Sequence, residues 1–195
     1  MKVNILGYVL ITLILIVSIK IYLESDYFNL KCIVSSVDGN TYCVRETSKL
    51  ELAADKLARV TANMKKLVVV CKEKYETRDN VQRLVKGFNP KQIYETLPTS
   101  EYTAYSQNKG EKIAFCLNEE RDGKNLIDIN TLTFVAIHEL SHIASVSIGH
   151  TEEFWNNFKF LLQVAKENNL YSPVDYKKKP ERYCGTTINK NPLYE

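Results

Sequence analysis

The chain contains three histidines, and their spacing constrains its fold more than any other feature. His138 and His142 are four residues apart, which puts both rings on one face of a helix, with Glu139 beside the same opening. His150 follows eight residues later, so it can join them only if the chain turns back soon after that helix. Neutral imidazole is a favoured zinc ligand, and a catalytic zinc takes three protein ligands while keeping a fourth position for water. The pattern nominates His138, His142 and His150 as ligands of Zn2+. Glu139 is the carboxylate able to take a proton from water, and so the candidate catalytic residue.

The flanking residues suit that arrangement. Asn130-Thr131 offers an N-cap, after which Leu132, Val135, Ala136, Ile137, Leu140, Ile143, Ala144 and Val146 cover most of the helix surface, as in a buried helix. His, Glu and His on such a helix need a partner, because unpaired buried polar atoms are costly. The competing reading is a polar stripe on an ordinary core helix. Gly149 suits a left-handed turn that sends His150 back, and Thr151 can cap a second helix with Glu152 and Glu153 in its first turn. Phe154, Trp155, Phe158, Leu161, Leu162 and Ala165 form that helix's apolar stripe. An alternative ligand set replaces His150 with Glu152 or Glu153.

The run His138-Glu139-Leu140-Ser141-His142, then Gly149-His150, then Phe154-Trp155 resembles small zinc-peptidase families such as the SprT and WLM groups. In those families a second helix opening with a histidine and an aromatic pair follows HExxH. A wider match takes in residues 99–106, residues 113–117 and the tail Tyr183-Cys184-Gly185. It resembles membrane-anchored, metallopeptidase-like proteins of large nucleocytoplasmic DNA viruses. The resemblance implies a zincin-like fold, a peptide or protein substrate, and a membrane-tethered location in a virion or host internal membrane, with virion proteins among the partners. It leaves the substrate open.

Residues 5–23 are almost continuously apolar, broken by Gly7, Thr12, Ser18 and Lys20. That length suits a bilayer span, and the bulky, acidic run Tyr22-Leu23-Glu24-Ser25-Asp26 lacks a small-residue cleavage site. The expectation is a retained anchor over residues 1–26 and one zincin-like metallopeptidase domain over residues 27–195; a cleaved signal is the alternative. Lys2 on one side faces Lys20 and Lys31 on the other, which leaves the orientation open. With 26 basic and 23 acidic residues the charge is too balanced to point to nucleic acid. Lys177-Lys178-Lys179 reads as a solvated loop, with a lipid contact as the minor alternative.

The expected fold class is α+β. Ser48-x-x-Glu51 reads as a capping box opening a long helix, whose buried face is Leu50, Ala53, Leu57, Val60, Met64, Leu67, Cys71 and Tyr75. A shorter helix covers residues 80–86. Strand patterns follow over residues 92–97, 102–106 and 112–117, the last two flanking the turn Asn108-Lys109-Gly110 in a small antiparallel sheet or hairpin. In zincins the strand beside the active helix holds extended substrate by its free edge, so the resemblance offers the hairpin that role. A plain structural hairpin is the equal alternative.

Five cysteines leave at least one thiol without an intrachain partner. Cys32 and Cys43 bracket the turn signal Val37-Asp38-Gly39-Asn40 and are expected to pair across a hairpin, leaving Cys71 and Cys116 as buried thiols. Cys184 is a candidate fourth or inhibitory metal ligand. Two functional classes remain: a membrane-anchored zinc peptidase, and a catalytically silent virion or membrane structural protein that keeps a zinc-stabilised fold.

Overall fold

The computed structural model describes residues 5–24, 30–121 and 125–195. It begins with helix α1 (Ile5–Glu24), the one helix among the described residues long and apolar enough to cross a membrane. Its 20 residues rise about 30 Å, the thickness of a hydrocarbon core. Its large apolar side chains face outward, including Leu6, Leu10 and Ile14. The expected boundary between residues 26 and 27 lies outside the described residues.

The rest is α+β. Strands β1 (Leu30–Val34) and β2 (Thr41–Arg45) precede helices α2 (Leu50–Tyr75) and α3 (Asp79–Gly87). Strands β3 (Ile93–Glu95), β4 (Ala104–Gln107) and β5 (Lys112–Phe115) follow, then helices α4 (Ile129–Ala144) and α5 (Glu152–Glu167). Strands β6 (Glu181–Tyr183) and β7 (Thr186–Ile188) close the chain as a separate antiparallel hairpin.

The long helix forms over the apolar stripe that its periodicity implies. Ala53, Leu57, Val60, Met64, Leu67 and Cys71 are buried, and α2 packs on β1, β2, β3, α3, α4 and α5. Its start differs from the capping-box expectation: Lys49 is the N-cap and no side chain caps it. The sheet also differs. It is mixed, in the order β1-β2-β3-β5-β4, because β3 lies parallel to both β2 and β5. Those pairings join segments far apart in sequence, which local alternation does not encode. Inside it, the buried Arg45 guanidinium meets the buried Glu95 carboxylate at 3.3 Å and donates to the Thr96 carbonyl.

Strand β4 is the outer strand at one end of the sheet, paired antiparallel with β5 and packed near α4. Two glycines set how closely its hairpin approaches the helix. A Cβ on Gly87 would stand 2.6 Å from Ile143 Cγ2 and from the Lys109 carbonyl. One on Gly110, at φ +106°, would collide with the Gly87 carbonyl. Only glycine lets the end of α3, the β4–β5 turn and α4 meet at this point.

The disulfides follow expectation in one case and overturn it in another. Cys32 and Cys43 are bonded across the β1–β2 register, and Cys71 is a buried free thiol. Cys116 is not free. It is bonded to Cys184, which removes Cys184 as a metal ligand. The two-residue turn Cys184-Gly185, both at positive φ, lets β6 and β7 reverse and brings Cys184 to the end of β5.

Candidate metal centre

Helix α4 is capped by Asp128, whose carboxylate accepts from the backbone N–H groups of Asn130 and Thr131. The N-cap thus lies two residues before the expected Asn130. The helix ends at Ala144, earlier than its apolar run implies, and Val146 is exposed in the following loop. Ser141 and Ser145 donate their hydroxyls to carbonyls four residues back, while Arg83 donates to the Ala144 carbonyl at 2.8 Å. Side chains therefore reach two of the last carbonyls, those of Ser141 and Ala144, that another helical turn would have used.

The loop at 145–150 turns at Gly149, at φ +82°, and brings His150 over α4. His138 Nε2 stands 3.3 Å from His142 Nε2 and 3.0 Å from His150 Nε2. One ligand nitrogen from each ring lies within 4.8 Å of the others. Two nitrogens each about 2.0–2.1 Å from a tetrahedral ion stand about 3.3 Å apart, so the spacings from His138 to its two neighbours are close enough for one metal ion to be shared. Burial and the neighbouring rings push His138 down to about 3 and His142 down to about 4. Both rings are therefore neutral near pH 7, the protonation state that binds metal.

Phe154, fully buried, packs against all three imidazoles, with centroid distances of 4.8 Å to His138, 4.4 Å to His142 and 4.7 Å to His150. Its helical spacing identified it as core; only the fold reveals that the core it fills is the back of the histidine cluster. Behind it, Asn80 donates to Asn157, and Asn157 to the Ser145 hydroxyl, each at 2.8 Å. That buried chain ties α3 and α5 to the end of α4.

Glu152 and Glu153 are not in the histidine cluster. Glu153 instead clamps the loop: its carboxylate accepts from the backbone N–H groups of Val146 and Ser147 and from the Ser147 hydroxyl, with Arg83 at 3.3 Å. Those backbone donors, most of all Ser147, hold its carboxyl down at about 2. Lys109 grips the same loop from the other side. From the β4–β5 turn, its ammonium donates to the carbonyls of His142, Ser145 and Ser147 at 3.1, 2.8 and 2.9 Å. Neither role has a sequence signature, since both depend on elements that meet only in the fold. Replacing Lys109 with Met removes these three bonds while keeping an apolar stem of similar reach. The expected result is zinc affinity weakened by about 10- to 100-fold, measured by competition with a chromophoric chelator; unchanged affinity would show that the loop holds its shape without Lys109.

Glu139 lies on α4 beside the cluster and is 4% exposed. Burial pushes its carboxyl up to about 8, opposed by hydrogen bonds from the hydroxyl and backbone N–H of Ser106 on β4. The three histidines and Glu139 open onto a cleft of about 900 Å³, bordered by residues of β4 and the segment before it and by Ile148 and Gly149. The outer edge strand, the carboxylate and the imidazoles thus share one opening.

No family model matches the chain. It is 29% identical over 188 residues to an uncharacterized protein of Acanthamoeba polyphaga mimivirus, covering 94% of this chain and 92% of that protein. It is 30% identical over 112 residues to an uncharacterized protein of Invertebrate iridescent virus 6, covering 55% of this chain and 60% of the relative. A protein of Invertebrate iridescent virus 3 is 34% identical over 103 residues, covering 51% of this chain and 61% of the relative. All three relatives are viral. Among solved structures, Wss1 from Saccharomyces cerevisiae shares 17% identity and a TM-score of 0.38, covering 62% of this chain and 78% of that one.

Proposed function

We propose that the chain is a membrane-anchored zinc peptidase, with residues 1–26 as a single-pass anchor and residues 27–195 as the catalytic domain. The observation that carries this reading is the convergence of three imidazoles and a buried carboxylate on a cleft edged by an outer strand. A site that only held a structural ion would be closed and would need no such carboxylate. His138, His142 and His150 would hold the zinc, with Cys184 excluded by its disulfide. When bound, zinc supplies Lewis-acid activation of water and of a carbonyl.

This chain's own residues do the rest. The positive charge of an ion on the three rings would oppose the effect of burial and keep the Glu139 carboxyl ionised, and in that form Glu139 would take the proton of the attacking water and deliver it to the leaving amine. Ser106 orients that carboxylate by its two hydrogen bonds. Strand β4 holds an extended polypeptide by pairing along its outer edge. Phe154, Lys109 and Glu153 fix the rings and the loop between them. The two disulfides support placing the domain on the oxidising side of a membrane or within reach of a thiol oxidase, and the viral relatives support a virion or host internal membrane.

The reading is tested by incubating the full chain, in lipid nanodiscs, with a mixed peptide library followed by mass spectrometry. Cleavage that disappears on chelation and returns with added zinc is expected. Cleavage indifferent to the chelator would reject a zinc mechanism.

A further inference from the structure

The rim of the cleft carries large apolar side chains and little available charge. Ile148, between two ligand-bearing segments, is 91% exposed, and Tyr102, before β4, is 63% exposed. Tyr102 pairs edge-on with Tyr105 of β4, ring centroids 6.1 Å apart. All three side chains border the cleft that contains Glu139 and the histidines. A solvent-facing isoleucine and a tyrosine pair lining one cleft cost apolar exposure that the fold does not use, and such surface at a cleft marks a binding site.

The charged groups of the cleft are engaged elsewhere. The Lys109 ammonium is held by three carbonyls, and the Glu139 carboxylate is buried against Ser106. A charged side chain packed against Ile148 and the tyrosines, away from the three rings, would give up water to an apolar wall, whereas an aliphatic or aromatic one would bury area there. Strand β4 meanwhile offers an outer edge to an extended backbone.

We propose that the cleft selects an extended polypeptide carrying a large uncharged apolar side chain, aliphatic or aromatic, at the position that packs against Ile148 and the Tyr102–Tyr105 pair. This deepens the peptidase reading and rests on it for turnover, though the recognition itself is a binding property. Discrimination against a charged side chain is expected to be about tenfold or more, the scale that apolar pockets reach.

The test uses the zinc-loaded full chain carrying Glu139→Gln in lipid nanodiscs, so that binding is read without turnover. The probes are fluorescent decapeptides of Ala, Ser and Thr with a central Leu, Phe, Asp or Lys, followed by anisotropy. Leu and Phe peptides are expected to bind about tenfold tighter than the Asp and Lys peptides. Adding Ile148→Lys should erase that preference and favour the Asp peptide. Tyr102→Ser should weaken the Leu and Phe peptides only, and zinc content and melting temperature show whether either variant is folded. Equal binding across the four peptides, or an unchanged ranking in folded Ile148→Lys and Tyr102→Ser variants, overturns the proposal. The apolar preference without cleavage by the unsubstituted chain would uphold the recognition and reject the peptidase reading.

Discussion

Glu139→Gln is expected to lower the rate of peptide hydrolysis by about 10² to 10⁴, equivalent to roughly 3–5 kcal/mol of barrier, while leaving zinc content unchanged. The separation between these outcomes comes from geometry. Glu139 contributes no atom to the histidine cluster, so the three nitrogens remain. Gln is nearly the same size, can still accept from Ser106, and places no charge in a position that is 4% exposed. The variant should therefore fold and melt normally while losing the proton acceptor. A silent structural module would be indifferent to the change: its assembly into membranes or virions would proceed with Glu139→Gln as without it. Initial rates on peptides cleaved by the unsubstituted chain, together with metal analysis and thermal melting, distinguish the two classes. Equal rates would remove Glu139 from the chemistry.

Loss of the Cys116–Cys184 bond should be the largest change in stability that leaves every proposed site residue in place. The bond closes a sequence separation of 68 residues, for which chain entropy gives roughly 4 kcal/mol of destabilisation of the unfolded state, against about 3 kcal/mol for the 11-residue separation of Cys32 and Cys43. It also anchors the C-terminal hairpin where other contacts converge. Cys184 and Gly185 donate their backbone N–H groups to the carbonyls of Asn118 and Glu119 at 2.9 and 2.8 Å. Arg182 pairs with Glu120. Tyr183, buried beside them, donates to the Thr103 carbonyl at 3.1 Å, one residue before β4. A Cys116→Ser, Cys184→Ser double variant is thus expected to melt roughly 10 °C lower than the parent chain, with a smaller drop for the corresponding Cys32 and Cys43 pair. Calorimetry of the three proteins checks the order. A smaller effect at Cys116–Cys184 than at Cys32–Cys43 would show that the hairpin is held by its other contacts.

How much of this was legible in the sequence depended on the range of the interaction. The stripe from Ala53 to Cys71, the pairing of Cys32 with Cys43 across a short turn, and the return of His150 after Gly149 are local patterns. They could be read because their partners lie within a few turns or one hairpin. The parallel placement of β3 and the bond between Cys116 and Cys184 join distant segments, and no local periodicity records them. The C-terminal hairpin did carry a signal, a Cys-Gly turn between short alternating runs. Helix α4 stopping at Ala144 rather than Val146 is of the first kind in sequence but the second in cause, because Arg83 and Lys109 reach its carbonyl end and loop from elsewhere. Glu153 shows the same division: its position near the ligands suggested coordination, while its hydrogen bonds make it the loop's clamp.

Zinc stoichiometry tests the central claim most directly, because every chemical role proposed here depends on the three rings sharing one ion. Metal analysis of the purified full chain should find about one zinc per chain, strongly reduced in His150→Ala and absent from the variant in which His138, His142 and His150 are all replaced by Ala. A full complement of zinc persisting in the triple variant, or an unsubstituted chain that takes up none when zinc is supplied, would contradict the account.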